Sequence, residues 1–316
     1  MKISIVVPCY NEEDNVDKFF GELKSTMEKA QYSYEIIFIN DGSNDRTFDK
    51  LKKIYSKNSN RVEVISFSRN FGKEASMLSG LKHARGEYVT IIDADLQQSP
   101  QVVIQMVDFL DNNISYDCVA AYQDHRLEAK SIIFLKKIFY KVINKICDVT
   151  FVAGASDFRT FRHSMVDAIT SLPEYFRFSK GIFSWVGYNT YYIPYEVRER
   201  NSGTSKWSFW KLVKYAVEGF VSFTTFPLKI ATILGSVTSG AAILYLIIVI
   251  FQKILFSIDI PGYPTIVVLI LLLGGIQLFV LGIIGEYISR IYLQSKNRPI
   301  YIEKECLKIV EIETSD

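Results

Sequence analysis

Two long stretches without a charged residue, residues 230–252 and 260–285, constrain the fold of this chain more than any other feature. Each is longer than the about 20 residues that an α-helix needs to cross the hydrocarbon core of a bilayer. Lys253 and Asp259 lie in the short connector between them, and the helix breakers Pro261 and Gly262 follow just after it. This pattern predicts two transmembrane helices joined as a hairpin.

Basic residues flank the predicted hairpin on both sides. Lys229 precedes the first stretch, and Arg290 and Lys296 follow the second. Because basic residues concentrate on the cytoplasmic side of membrane helices, both chain termini are predicted to lie in the cytoplasm. Residues 229–290 are therefore assigned to the two transmembrane helices, and residues 291–316 to a cytosolic tail.

The N-terminal part of the chain alternates short apolar runs with helical patterns. Strands are predicted at residues 3–7, where Pro8 ends the strand, and at residues 35–40 and 62–67. A fourth strand is the run from Tyr88 that leads into Asp93, and a fifth lies near residues 117–122. Residues 153–161 are predicted to form a returning strand. Strands that alternate with helices form right-handed βαβ units. The predicted fold class is therefore α/β, with a mostly parallel, doubly wound sheet and helices on both faces.

Two segments link this part of the chain to the hairpin. Residues 129–147 have the pattern of a basic amphipathic helix, which is typical of helices that lie in a membrane interface. A surface helix packed on the domain is the alternative. Residues 207–228 are aromatic-rich and are predicted to form a juxtamembrane helix. Residues 1–206 are then the cytosolic domain, which includes the amphipathic helix.

Composition excludes several classes of protein. The formal net charge of +2 is too small to indicate nucleic-acid binding. The four cysteines have no Cys-x-x-Cys spacing, so neither a metal cage nor a disulfide framework is expected. The first strand is not followed by Gly-x-Gly-x-x-Gly, and the chain has no Walker sequence, which excludes the usual dinucleotide and P-loop sites.

Polar clusters follow four of the predicted strands, at residues 8–13, 40–43, 69–73 and 93–97. The carboxyl ends of parallel strands meet at one edge of the sheet, where open α/β sheets bind ligands. On an extended strand Asp93 and Asp95 would point the same way, toward one divalent cation. Hard oxygen ligands suit Mg2+ or Mn2+ carrying a diphosphate. In the alternative, one carboxylate caps the following turn and the other is solvated.

Five motifs in a fixed order carry a resemblance to a known family. They are Val-Pro-x-Tyr-Asn-Glu-Glu, Asp-Gly-Ser, Asp-Ala-Asp-Leu-Gln, Ser-Asp-Phe-Arg and Arg-x-x-Gly-x-Ser-Lys-Trp. The chain resembles the inverting family 2 glycosyltransferases with a Rossmann-like GT-A fold. Within them it is most similar to polyprenyl-phosphate glycosyltransferases, namely dolichyl-phosphate mannose synthase relatives and bacterial bactoprenol glucosyltransferases with two C-terminal transmembrane helices. The resemblance implies a multi-pass protein of the bacterial inner membrane with a cytoplasmic catalytic domain.

The resemblance also implies roles for individual residues. Those expected to bind a nucleotide sugar, with UDP favoured, are Pro8, Tyr10, Glu12, Asp41, Arg69, Lys73, Asp93, Ala94, Asp95 and Gln97. Asp93 and Asp95 are expected to hold Mg2+ or Mn2+, and Asp95 and Asp157 to be catalytic. The residues expected to bind the acceptor phosphate are Arg126, Arg200, Ser205 and Lys206. Asn40 stands where many relatives have a second aspartate, and Asp41 is the better match.

The implied reaction moves one sugar, with glucose expected, onto a polyprenyl phosphate. The phosphate oxygen is already anionic, so no strong general base is needed. Asp157 is therefore expected to orient the acceptor or to stabilise positive charge at C1. Direct displacement would give a β-linked product from an α-linked donor. The family also suggests a homo-oligomer such as a tetramer.

Structural alternatives stay open for four of these residues or segments. Asp41 is also consistent with a simple turn residue, and Lys73 with the solvated start of a helix. Asp157 is also consistent with a structural pair with Arg159 or Arg162, and residues 198–200 with a solvated charge run. Two alternative functions stay open as well. One is a processive polysaccharide synthase, although its Gln-x-x-Arg-Trp motif is absent. The other is a membrane-anchored binding protein without activity.

Overall fold

A computed structural model of the chain describes residues 1–123, 140–141, 143–147, 149–152, 154–198, 223–256 and 262–310. The chain divides into two compact units. One unit combines Met1–Gly219 with Arg298–Asp316, and the other is Phe220–Asn297. The predicted amphipathic segment 129–147 and juxtamembrane segment 207–228 lie largely outside the described residues.

The first unit is built from strands and helices that alternate along the chain. Its strands are β1 (Ile3–Cys9), β2 (Tyr34–Asn40), β3 (Val62–Phe67), β4 (Tyr88–Ile91), β5 (Cys118–Gln123), β6 (Ala155–Arg162), β7 (Thr190–Tyr195) and β8 (Glu303–Leu307). Its helices are α1 (Val16–Ala30), α2 (Thr47–Lys57), α3 (Lys73–His83), α4 (Pro100–Asn112), α5 (His163–Ser171) and α6 (Ser179–Trp185).

One sheet runs through the first unit, in the order β7-β5-β6-β4-β1-β2-β3-β8. Four of its strand pairs are parallel: β1 with β2, β1 with β4, β2 with β3, and β5 with β7. The pairs β4–β6, β5–β6 and β3–β8 are antiparallel. The mostly parallel α/β sheet that the sequence predicts is thus confirmed, with antiparallel strands inserted beside β4 and at the β3 edge.

The core lies on both sides of the central strands. Every residue of β2 is buried, as are most of β1, because helices cover both faces of a parallel sheet. On α1, Phe19, Leu23 and Met27 recur at helical spacing and are fully buried in the same cluster. Each such side chain contributes about 1.5–3 kcal/mol when removed from water. The strand ends that carry the polar clusters are therefore rigidly held.

Two strand boundaries differ from the sequence prediction. β1 continues through Pro8 to Cys9, with Pro8 opposite Ile39 of β2. β4 has already ended opposite Val6, so the missing N–H of Pro8 costs no ladder bond on that side. β4 itself ends at Ile91, and Asp93 therefore lies in the following turn. Strand alternation does not set the directions of the two carboxylates, and that part of the metal-site argument was wrong.

The C-terminal tail was assigned as a separate segment, and this was wrong. Residues 303–307 form β8, which pairs antiparallel with β3 and covers its edge. The Tyr301 ring stacks on Phe67 with centroids 4.9 Å apart. Lys52 pairs with Glu305 at 2.8 Å. The tail is therefore part of the sheet of the first unit.

The second unit contains two long helices, α7 (Phe226–Phe256) and α8 (Tyr263–Ser295). They start before and end after the predicted boundaries 229 and 290. Within them, Phe226–Gln252 and Val268–Ser295 have mean hydropathies of 2.3 and 2.6 and are long and apolar enough to cross a membrane. Their apolar side chains are exposed in the chain, which favours a membrane association.

Candidate active site

The loops after β1 and β2 are joined by hydrogen bonds at the carboxyl edge of the sheet. The backbone N–H of Asn11 donates to Ser43 Oγ at 3.0 Å, and that of Glu12 donates to Thr47 Oγ1 at 2.8 Å. The Glu12 carboxylate accepts a hydrogen bond from the Asn15 side chain at 2.7 Å. The segment that carries the predicted nucleotide contacts Pro8, Tyr10 and Glu12 is therefore fixed against the Asp-Gly-Ser turn.

Asp41 holds the loop that follows β3. Its Oδ1 accepts the Phe71 backbone N–H at 2.7 Å, and its Oδ2 accepts that of Gly72 at 2.9 Å. Burial raises the pKa of the Asp41 carboxyl, while these two hydrogen bonds and the Arg69 charge oppose the rise. Asp41 is thus more than a turn residue, and its contact with a nucleotide base stays a prediction.

Gly42 brings the same two loops into close contact. Its φ is +59°, and a Cβ at this position would lie 2.3 Å from the Arg69 carbonyl carbon. Only glycine fits both the left-handed backbone and the close approach. Asp41 therefore binds the loop of residues 69–72 by hydrogen bonds, and Gly42 packs closely against it. This loop leads directly into α3.

Lys73, the first residue of α3, contacts two carboxylates. Its Nζ lies 2.7 Å from Oδ1 and 2.9 Å from Oδ2 of Asp93, and 3.2 Å from Oδ2 of Asp157. Burial would lower the pKa of the Lys73 ammonium, but the two carboxylates outweigh it and raise the pKa. Lys73 does start α3, and 40% of its side chain is exposed, but its ammonium group is paired with two carboxylates.

Sheet register explains why Asp93 and Asp157 meet. β4 and β6 are antiparallel, with Tyr88 opposite Arg162 and Ile91 opposite Arg159. Continuing this register two residues beyond the end of β4 brings Asp93 opposite Asp157. The two carboxylates, far apart in sequence, thus stand at the same end of neighbouring strands.

Asp157 is largely buried, with 17% of its side chain exposed. Burial would raise the pKa of its carboxyl, but the charges of Lys73, Lys180 and Arg159 outweigh burial and lower the pKa. Its Oδ1 is buried and has no hydrogen-bond partner among the residues that the structure describes. A buried carboxylate oxygen of this kind is a candidate contact for a substrate group.

The structural alternative for Asp157, an ion pair with Arg159 or Arg162, does not form. The Arg159 Nε donates to the Ser156 carbonyl at 3.0 Å, and the Arg162 guanidinium donates to the carbonyls of Tyr116 and Leu110. Both guanidinium groups are thus held by backbone oxygens. The partner of Asp157 is Lys73.

The turn after Asp93 is tied to the segment that precedes the predicted acceptor loop. Asp95 Oδ1 accepts the Gln97 backbone N–H at 3.2 Å. The Gln97 carbonyl accepts the backbone N–H of Arg198 at 3.1 Å, and the Arg198 guanidinium pairs with Glu22 at 2.6 Å. Arg198 is therefore anchored and is not part of a solvated charge run.

The donor set at the strand end fits a divalent cation. Asp93 and Asp95 are both partly exposed and offer hard carboxylate oxygens, which Mg2+ and Mn2+ prefer. Both oxygens of Asp93 accept from Lys73, and Oδ2 also accepts from the Gln98 side chain at 3.2 Å. To ligate a cation, Asp93 would therefore have to share or give up its ion pair with Lys73.

Some predicted site residues lie elsewhere or outside the described residues. Ala94 is buried, and the Arg69 guanidinium lies 4.0 Å from the centre of the Phe71 ring. The predicted acceptor-phosphate residues are all outside the described part of the chain, namely Arg126, Arg200, Ser205 and Lys206.

Two residues near the site were not predicted. Lys180 contributes charge to Asp157, and Gln98 bonds both the backbone N–H and the side chain of Asp93. Gln98 was within reach of sequence reasoning, because it directly follows the predicted motif. Lys180 could not be found from the sequence, since α6 is short and carries no motif. The start of α6 is held by Glu74, whose carboxylate accepts the Ser179 backbone N–H at 3.0 Å.

The sheet and its strand-end site define a GT-A-type transferase. A profile of Glycosyl transferase family 2 matches residues 4–170, and one of the GtrB C-terminal hairpin matches residues 226–291. The chain therefore belongs to glycosyl transferase family 2, and it is an enzyme of that class with a C-terminal hairpin.

Curated relatives match almost the whole chain. It is 44% identical over 305 residues to the putative glycosyltransferase CsbB of Bacillus subtilis, covering 96% of this chain and 92% of that protein. It is 40% identical over 309 residues to the bactoprenol glucosyl transferase of Shigella phage SfV, covering 96% and 98%. It is also 40% identical over 303 residues to an uncharacterized glycosyltransferase of Synechocystis sp., covering 96% and 94%.

Proposed function

We propose that this enzyme transfers a single glucose from UDP-glucose to a polyprenyl phosphate such as undecaprenyl phosphate. The product is a lipid-linked sugar made at the cytoplasmic face of a bacterial inner membrane and used for cell-envelope glycans. The names of the relatives and the hairpin support the lipid acceptor. The observation that carries the proposal is the contact of Lys73 with both Asp93 and Asp157.

The donor is proposed to bind at the carboxyl ends of β1, β2 and β4. Tyr10, Asp41 and Arg69 contact the nucleotide, and Asp95, with Asp93 beside it, holds Mg2+ or Mn2+ against the diphosphate. The cation, when bound, stabilises the negative charge that the leaving nucleotide acquires. These side chains orient the sugar, because hydrogen bonds join the loop after β2 to the loops after β1 and β3.

Asp157 is proposed to act at the sugar without taking a proton from the acceptor. The acceptor phosphate is already an anion, so it needs no base. Oδ2 of Asp157 is held by Lys73, while Oδ1 is buried without a partner among the described residues. That oxygen is suited to stabilise positive charge at C1 or to accept a hydrogen bond from a sugar hydroxyl. Displacement on the opposite face inverts the anomeric centre.

The acceptor phosphate is proposed to bind residues of the segment 200–206, which begins two residues after Arg198 in the sequence. The carbonyl of Gln97 accepts the backbone N–H of Arg198, which is two residues before Arg200 in the sequence. Arg200, Ser205 and Lys206 would then supply charge-assisted hydrogen bonds to the phosphate. In the sequence these residues precede the predicted juxtamembrane segment 207–228, an order that suits an acceptor whose hydrocarbon tail stays in the bilayer.

A donor panel tests this proposal. The purified full chain in detergent receives undecaprenyl phosphate and one radiolabelled nucleotide sugar at a time: UDP-glucose, UDP-galactose, UDP-N-acetylglucosamine or GDP-mannose. We expect chloroform-soluble label from UDP-glucose at a rate at least about tenfold above the others, within the discrimination that hydrogen bonds to sugar hydroxyls allow. Label in a water-insoluble polymer would indicate a processive synthase. No label in any lipid or polymer fraction would indicate a binding protein.

A further inference from the structure

A cluster of residue types that bind metals lies away from the strand-end site. Glu63 of β3, His83 of α3 and Cys306 of β8 offer a carboxylate oxygen, a ring nitrogen and a sulfur that all lie within 4.8 Å of one another. His83 is the last residue of α3 and Lys73 is the first, so about 15 Å of helix separates them. The cluster therefore lies apart from the proposed nucleotide-sugar site, and the proposed transfer reaction does not use it.

Sheet register explains why these residues meet. β8 runs antiparallel to β3, with Cys306 opposite Ile65. Residues opposite each other in a sheet point to the same face, and so do residues two apart on one strand. Glu63 and Cys306 therefore share one face of the sheet, and His83 reaches the same place from the end of α3. The spacing of the cysteines could not reveal this cluster, because its members come from three distant segments.

A carboxylate faces each ring nitrogen of His83. Nδ1 lies 2.6 Å from Glu63 Oε1, and Nε2 lies 3.1 Å from Glu303 Oε1. In the metal-free chain both nitrogens must then carry hydrogens, since carboxylates only accept. A metal-bound histidine typically donates its other ring N–H to a carboxylate, which fixes the ring and raises its basicity. Glu303 is placed for that task, with Nδ1 on the side of the cluster.

One oxygen of Glu63 accepts from two different side chains. His83 Nδ1 and the Cys306 thiol, the latter at 3.8 Å, both face Oε1. The second oxygen, Oε2, lies 3.9 Å from the Arg85 guanidinium. Only 5% of the Glu63 side chain is exposed, so its charge needs compensation within the protein. A divalent cation that replaces the two hydrogens on Oε1 leaves the net charge of the cluster unchanged, because two protons leave as the ion enters.

We propose that Glu63, His83 and Cys306 bind one Zn2+, which holds the C-terminal strand β8 against β3. Carboxylate, imidazole and thiolate are ligands that Zn2+ takes, with bonds of about 2.0–2.3 Å. The sulfur selects against Mg2+ and Mn2+, which prefer oxygen ligands. On binding, the imidazole and the thiol each release one proton to solvent. Water completes the tetrahedron, since 22% of the His83 side chain is exposed.

The first test measures Zn2+ binding to the full chain in detergent. The protein is stripped with EDTA under reducing conditions, freed of chelator, and titrated with ZnCl2 against a chromophoric zinc indicator. Excess Mg2+ is present throughout to occupy sites for hard cations. We expect one Zn2+ per chain. EDTA removes the ion, and the pH dependence that His83 gives to stability is a property of this metal-free form.

Variants of the cluster should lose affinity in a graded way. Cys306→Ser and His83→Gln each remove a ligand and should weaken Zn2+ binding at least about 100-fold. Glu303→Gln removes only the outer carboxylate and should weaken it about tenfold, within the 10- to 100-fold range for such partners. Cys147→Ser, at a partly exposed cysteine outside the cluster, is the matched control and should bind as wild type does.

The second test uses CoCl2 in place of ZnCl2 to identify the sulfur ligand. A thiolate gives bound Co2+ an intense charge-transfer absorption in the near ultraviolet, which imidazole and carboxylate do not. We expect this absorption in wild type and in Cys147→Ser, and its loss in Cys306→Ser. Zn2+ at 100 times its Kd should also raise Tm by about 5 °C in wild type and leave Cys306→Ser unchanged.

Three results would overturn the proposal. Wild type that binds no Zn2+ beside Mg2+, or that gives no Co2+–thiolate absorption, would show that hydrogen bonds alone join the cluster. Zn2+ affinity of Cys306→Ser within about threefold of wild type would place the ion elsewhere. If Cys306→Ser does not fold, His83→Gln decides by the same threefold limit. Neither test uses a nucleotide sugar or a lipid phosphate, so failure of the proposed sugar transfer would leave both results standing.

Discussion

The backbone N–H of Gly72 donates a hydrogen bond of 2.9 Å to Oδ2 of Asp41. The other oxygen of the same carboxylate accepts the N–H of Phe71. One side chain at the end of β2 thus fixes the loop that places Lys73. The Asp-Gly-Ser motif consequently has a structural task at this site in addition to any contact with the donor.

Replacing Asp41 by alanine is expected to leave two backbone N–H groups without their acceptors. Each such loss costs about 1–3 kcal/mol when the donor is buried. We expect the unfolding free energy to fall by at least that much and KM for the donor to rise. Asp41→Asn, which keeps one acceptor, should be intermediate. Thermal unfolding and donor titration check this, with exposed Asp49→Ala on α2 as control. Wild-type stability in Asp41→Ala would contradict the loop-holding role.

Asp157→Asn is expected to keep the fold and the shape of the site while removing its charge. Because a carboxylate is proposed to stabilise positive charge at the sugar, kcat should fall about 100- to 1,000-fold, the range seen when one electrostatic group is removed from an active site. Binding of UDP should change little. Steady-state transfer and UDP titration are the measurements, and Asp167→Asn, on the exposed side of α5, is the control. Near-normal turnover in Asp157→Asn would rule out the proposed role.

The C-terminal strand is expected to make stability depend on pH through His83. Its Nδ1 lies 2.6 Å from Glu63 of β3, and its Nε2 lies 3.1 Å from Glu303 of β8. The Glu63 hydrogen bond raises the pKa of His83 above its ordinary 6.5; burial opposes the rise and Glu303 adds to it. The stabilisation is therefore complete below pH 6.5 and is lost as pH rises through the folded-state pKa.

Thermal unfolding measured from pH 6 to about pH 9 tests this effect, because that range begins below the ordinary His pKa of about 6.5 and ends well above it. Wild type should lose stability relative to His83→Gln as the pH rises. Arg85 and Cys306 also face Glu63 and stay in place in that variant. Glu305→Gln, two residues along β8 from Glu303, removes only the pair with Lys52 and should keep the wild-type pH dependence. Identical pH profiles for wild type and His83→Gln would show that the pKa of His83 is the same in the folded and the unfolded chain, and would contradict this prediction.

The sequence was sufficient for the central part of the fold and for the strand-end clusters. Apolar runs that break into polar residues mark the ends of β2 and β3, and the uncharged stretches mark α7 and α8. The order of the motifs then indicated the family, which the comparisons confirm.

Other features depend on tertiary contacts that local patterns do not contain. β8 reads Glu-Lys-Glu-Cys-Leu, and its charged residues gave no strand signal; pairing with the open edge of β3 makes it a strand. The contact of Lys73 with Asp93 and Asp157 depends on the antiparallel register of β4 and β6, which no single segment encodes. The end of β4 at Ile91 was missed because the apolar run continues through Ile92.

The most direct test is mass analysis of the lipid product. Wild-type protein is incubated with UDP-glucose, undecaprenyl phosphate and Mg2+, with and without excess EDTA. We predict one hexose per lipid in the chloroform phase, β-linked by nuclear magnetic resonance, and no product with EDTA until Mg2+ or Mn2+ is restored. An α-linked product, a chain of several hexoses, or undiminished transfer with EDTA would contradict a cation-assisted, single inverting transfer at this site.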